Sequence, residues 1–141
     1  MPFHEKSAWT MIVALLIGGA FYFRTVFTLS TDLGELAPPN MPTVWVYTVI
    51  LIVIAVVGHI LAVAFAPEDA NEATDEREKR INERAGHLSG YVLGIGTLAA
   101  LGLYLVTYNG NLMFYVLFAS LMLSQVGEYV GHVLLHRKGV Y

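Results

Sequence analysis

The chain contains no cysteine, and only 13% of its 141 residues are charged. Without cysteine it has no disulfide, no thiolate metal site and no thiol nucleophile. So little charge is unusual for a soluble domain, in which about a quarter of the residues are charged. The formal net charge is only −3. No segment forms the basic stripe that nucleic acid requires, so nucleic acid is not an expected partner. The sequence also lacks a recognisable nucleophile–base pair and a phosphate-binding loop, and it has too few ligands for a di-metal centre. An enzyme is therefore the least favoured class.

What the chain has in abundance is apolar residues, 56% of the total. They are gathered into four runs at 8–29, 44–66, 87–107 and 112–135. Each is close to the ~20 residues that a helix needs to cross ~30 Å of hydrocarbon. A helix of a soluble bundle would keep a polar stripe along one side. The stretch "VYTVILIVIAVVGHILAVAF" (46–65) has none. The first run is long, contains Arg24 and precedes no small-x-small cleavage site, so it reads as a retained span. The expected fold is all-α, a four-helix bundle integral to a membrane, with residues 1–141 forming a single transmembrane domain.

Topology follows from the basic residues, which favour the cytoplasmic side. Seven of the eight fall at one level: Lys6, Arg77, Lys79, Arg80, Arg84, Arg137 and Lys138. Both termini and the long middle loop are thus expected in the cytoplasm, as in the inner membrane of a prokaryote. The acidic loop "STDLGELAPPNMPT" and the turn "YNGN" are expected outside. Arg24, near the outer end of the first span, can snorkel to the interface or meet Asp32 or Glu35. Asp75 and Glu78 make a capping-box-like start, and Asp75–Lys79 and Glu76–Arg80 are acid-to-base pairs at i,i+4. The spacing predicts a charged helix over about 75–86 that runs into the third span. Glycines recur every four residues at Gly86, Gly90 and Gly94, and again at Gly127 and Gly131. Such faces let helix backbones approach closely in lipid, within one chain or between chains.

Ionisable groups inside spans are costly and mark candidate sites. "GEYVGHVLLH" (127–136) places Glu128, His132 and His136 four residues apart in the last span. At 1.5 Å per residue, His59 lies ~10 Å deep in the second span, level with Glu128 and His132. His87 opens the third span, and His4 precedes the first. All five histidines and the lone intramembrane carboxylate thus share the cytoplasmic half. Imidazole and carboxylate suit a transition metal ion, for which Glu128, His132, His59, His136 and His87 are candidate ligands. A haem would use His59 and His132 as axial ligands, with Glu128 beside them. Alternatively, Glu128 could relay protons as the centre of a small proton-coupled transporter. The bland account keeps His4, His87 and His136 at the head groups and pairs His59 with Glu128 as a structural contact.

"DEREKRINERAGHLSGYVL" (75–93) and the basic ending "HRKGVY" (136–141) resemble an uncharacterised family of small prokaryotic membrane proteins. Its members have three or four spans and a D-E-R-x-x-x-I-x-x-x-A segment before the second helix pair. Here that segment corresponds to Asp75, Glu76, Arg77, Ile81 and Ala85. Some members are encoded beside small helix-turn-helix regulators, so the resemblance implies a membrane partner or sensor for a regulator. It implies no catalytic residues. The leading expectation is a sensory or accessory membrane protein that binds a metal, haem or small ligand in its cytoplasmic half. The alternative is a ligand-free subunit that meets another copy or another membrane protein through its glycine faces, and a cytoplasmic protein at 75–85.

Overall fold

Four helices carry the four apolar runs. In the computed structural model they are α1 (Phe3–Leu33), α2 (Met41–Phe65), α3 (Glu76–Thr107) and α4 (Gly110–Lys138). Residues 3–65 and 76–138 are described, without the side chains of 3–6, 62, 65, 77 and 138. The Asp75 cap, the middle loop to residue 75, and the side chains of His4, Glu5, Lys6, Arg77 and Lys138 lie outside the described residues. All four helices are long and apolar enough to cross a membrane. At 1.5 Å per residue the 32-residue α3 is ~48 Å long, well beyond a hydrocarbon core of ~30 Å. It runs unbroken from the charged stretch "EREKRINER" into its apolar part.

Short-range chemistry sets the helix ends. Gly34 closes α1 at φ 72°, in the left-handed region open to glycine, and its N–H donates to the Thr31 carbonyl at 3.3 Å. Pro38 and Pro39 keep the chain extended until Asn40. The Asn40 side chain then accepts from the Thr43 N–H at 3.0 Å, capping α2. Asn109 does the same for α4, accepting from the Leu112 N–H at 3.0 Å. Only Tyr108 and Asn109 separate α3 from α4, and Tyr108 takes a positive φ of 52° to make the reversal.

The helices pack as a row in the order α2, α1, α4, α3. The two connections 34–40 and 108–109 share one end of the row, here the turn end. Residues 3, 65, 76 and 138 mark the other, the terminal end. Towards the turn end, Tyr22, Val26, Tyr47, Tyr115 and Met122 form a buried cluster flanked by Phe23, Phe114 and Phe118. The Tyr22 and Phe118 rings lie 4.6 Å apart, and Tyr47 meets Phe118 edge-on at 5.3 Å. The first loop is tied over this cluster. The Tyr115 hydroxyl donates to the buried Ala37 carbonyl at 2.9 Å, and the Ala37 N–H donates to the Ser30 hydroxyl at 2.9 Å. A smaller cluster of Ala8, Ile12 and Val133, with Tyr129, joins α1 to α4 near the terminal end.

Between α3 and α4 the seam is built from small residues. Ile81, Ala85, Ser89 and Ala100 are buried on α3, and Ser120, Ser124 and Gly131 on α4. Gly96 belongs to the same α3 face, where the Ser120 side chain occupies the space its Cβ would need. Gly86, Gly90 and Gly94 lie about one residue around the helix. They are exposed, and among the described residues no group lies within 4 Å of the place of their absent Cβ atoms. Within the chain, therefore, the glycine row is not the packing row. One residue is ~100° of rotation, and alanine and serine served the close approach as well as glycine.

The helix α2, at one edge of the row, presents a long apolar face. Val46, Val49, Ile52, Val53, Val56 and Ile60 are between 45% and 62% exposed. Continuous apolar exposure of this extent is rare on soluble monomers.

Candidate functional site

At the terminal end three helices enclose a recess lined by Ser7 and Ala8 of α1, Asn82 of α3, and Glu128, Tyr129 and His132 of α4. Its volume is about 310 Å³, at the lower edge of small-molecule pockets. The helical repeat brings Glu128 and His132 to one face of α4, ~6 Å apart along its axis, with Tyr129 beside them. Packing sets the other walls. Ala8 and Ile12 against Val133 hold the first turns of α1 beside α4 and bring Ser7 to the rim. Gly131 lets α3 come close, since a Cβ there would meet Ala85 Cβ at 3.4 Å and Ala85 Cα at 3.6 Å. Asn82, three residues before Ala85, is carried to the recess by that approach.

Glu128, Tyr129 and His132 are half-buried, Ala8 is buried and Asn82 is exposed. Among the described lining residues there is one carboxylate and no lysine or arginine. The remaining polar groups are hydroxyls, a carboxamide and an imidazole, each able to accept a hydrogen bond. The recess is therefore rich in acceptors and, among the described residues, carries a single carboxylate.

The structure unites some of the residues that the sequence singled out and separates others. Glu128 and His132 share the recess. His59 does not join them. It is exposed on α2, which packs against α1. His87 is exposed where α3 turns apolar, and His136 sits half-buried one turn beyond His132. Neither lines the recess. Among the described residues, no group of three His, Asp or Glu side chains is placed to hold a metal ion. The depth expected to be common to His59, Glu128 and His132 thus does not become shared space among the described residues. Depth is measured along the membrane normal, and it says nothing of which helix stands next to which.

Three contributors were not legible beforehand. Ser7 stands just before the first apolar run and Tyr129 within the last, and neither carries a charge that would single it out. Asn82 is the one uncharged polar residue within "EREKRINER", and that was its only signal. A second, larger cavity of about 530 Å³ lies between α1 and α2, lined by Trp9, Thr10, Val13, Val53, Ile54, Val57, Gly58 and Leu61. Its walls are almost wholly apolar, so it offers shape without chemistry. No family model matches the chain, and no curated protein or solved structure matches it.

Proposed function

We propose that the chain is an integral protein of a prokaryotic cytoplasmic membrane that binds a small ligand in the recess around Glu128, in a sensory or accessory role. The observation that carries this reading is the convergence of Glu128, His132, Asn82 and Ser7 from three helices on one polar space at the end of an apolar bundle. A half-buried carboxylate in such a place is costly unless something uses it. The exposed apolar face of α2 supports the membrane setting. The gathering of basic residues at the terminal end supports a cytoplasmic position for it. The opposite end is filled by packed aromatic rings, which favours a binding protein over a transporter with a path through the bundle.

Topology is open to a direct test, because a chain without cysteine accepts single reporters cleanly. A cysteine at Glu35 should react with a membrane-impermeant maleimide on intact cells, and one at Arg84 only after lysis. The reverse pattern would invert the topology. For ligand binding, thermal unfolding in mild detergent should be screened against a library of small polar compounds. At least one class should raise the midpoint of the wild type and leave Ser7→Trp, whose indole fills the recess, unmoved. A library that moves neither protein, or both equally, would remove the basis for the reading.

A second reading is favoured by one feature. Among the described residues, nothing packs against the Gly86, Gly90 and Gly94 row. In a ligand-free subunit of a membrane complex, that row would meet another copy or another membrane protein, and the 76–85 turns of α3 would meet a cytoplasmic one.

A further inference from the structure

If the recess is a ligand site, as proposed above, its chemistry narrows the ligand. We infer that it takes a small organic cation, a primary ammonium group on a short carbon chain, with the ammonium against Glu128 and the chain over Tyr129 and Ala8. Charge is the first argument. Among the described residues the lining holds the Glu128 carboxylate and no lysine or arginine, while Arg137 lies beyond, exposed, and does not line the space. An anion would have to enter against Glu128. A neutral molecule would leave the half-buried carboxylate without a counter-charge among the described lining residues.

Geometry is the second argument. A primary ammonium carries three N–H donors and no acceptor. The recess offers acceptors on three separate helices: the Glu128 carboxylate on α4, the Asn82 carboxamide on α3 and the Ser7 hydroxyl on α1. The Tyr129 ring adds a face to which a cation is attracted. Size is the third. A space of about 310 Å³ corresponds to roughly ten water volumes of ~30 Å³. That suits an amine with a short chain and leaves little room for a large planar cofactor.

The probe is n-butylammonium chloride, with n-butanol as its neutral counterpart, sodium butyrate as the anion and potassium chloride as the inorganic cation, all at matched ionic strength. Full-length protein in mild detergent is followed by thermal unfolding and by ligand-observed saturation-transfer NMR. A ligand this small should bind with a dissociation constant on the order of a millimolar. Butylammonium alone should raise the unfolding midpoint, and saturably. Glu128→Gln should weaken its binding at least tenfold, and Ser7→Trp should abolish it by occupying the space. Using both variants keeps the test decisive if one fails to fold. If potassium chloride gives the same shift, or if butylammonium acts equally on Glu128→Gln, the assignment is overturned. If library compounds stabilise the wild type through the recess but are neutral or anionic, the cation assignment fails and the ligand-binding reading survives. If nothing binds, both fall.

Discussion

Alanine at Gly96 should lower the stability of the folded chain by about 2–3 kcal/mol, while alanine at Gly94, two residues away, should not lower it at all. The Ser120 side chain lies where the new Cβ at position 96 would stand, and the Ser120 Cα is only 3.4 Å from it. The nearest atoms are the Oγ and Cβ of a short side chain, so no flexible tip can swing aside. Either α3 and α4 move apart or Ser120 is forced from its position, and overpacking of this kind costs ~1–3 kcal/mol. Separation would also loosen the contacts along the Ala85, Ser89 and Ala100 row. At Gly94 nothing lies within 4 Å of the added methyl. There alanine brings only its higher helix propensity, worth up to ~1 kcal/mol. Reversible unfolding in mixed micelles reads both. The double variant Gly96→Ala with Ser120→Gly should recover most of the loss, because it removes the group that the methyl meets. A Gly96→Ala protein as stable as the wild type would show that this seam is not closely packed.

The same pair of variants separates the two functional readings. If the Gly86, Gly90 and Gly94 row meets a second chain, Gly94→Ala should weaken association in cross-linking without lowering the monomer's stability. If the row faces only lipid, association should not change.

What the sequence could and could not reveal follows from what each signal measures. Run length and the absence of a polar stripe report how far an apolar helix extends, and four helices long enough to cross a membrane were readable from that. Asn109 and Gly110 marked the tight reversal, since an asparagine cap before a helix is a local event. Rotation was less legible. The repeat at Gly86, Gly90 and Gly94 marks a face for close approach within one chain or between chains, and within this chain the buried row is instead Ile81, Ala85, Ser89 and Ala100, together with Gly96. A search for glycine alone misses a seam in which serine and alanine also allow close approach. Neighbourhood was not legible at all. His59 was expected at the depth of Glu128 and His132, but α2 packs mainly against α1, and His59 is exposed and does not line the recess. The connection 34–40 fixes only that α2 returns antiparallel to α1. It does not say whether His59 then faces inward. Glu128 and His132 were found because they lie on one helix at i,i+4, a spacing that survives any arrangement of the others. Ser7 and Asn82 come from elsewhere, and only packing could add them.

Truncating Tyr22 to alanine should have the other large effect, about 2–4 kcal/mol of lost stability. Tyr22 is 1% exposed and among the largest fully buried side chains in the structure. Its ring touches four others: Phe118 at 4.6 Å, Phe23 at 5.4 Å, Tyr47 at 5.7 Å and Tyr115 at 6.4 Å between centroids. Removing a buried aromatic side chain from a core costs ~3–5 kcal/mol, part of it transfer from water and part the cavity left behind. In a bilayer the transfer part shrinks, because lipid tails are as apolar as the core, and lost contacts dominate. Hence the lower figure. Tyr22→Phe, which keeps the ring, should cost less than about 1 kcal/mol if packing is the cause, and as much as alanine if the hydroxyl is. The position of the defect makes the result informative about function. Tyr22 is fourteen residues from Ala8 on the same helix, ~21 Å along its axis from the recess. The cluster also joins α2 to α4 through Tyr47 and Phe118, while α2 contributes nothing to the recess lining. Tyr22→Ala should therefore release the turn end of α2 and lower the unfolding midpoint, yet leave the butylammonium affinity of the still-folded protein within about twofold of wild type. A parallel loss of affinity and stability would mean that the two ends of the bundle are coupled, and that ligand at Glu128 is felt at the opposite end.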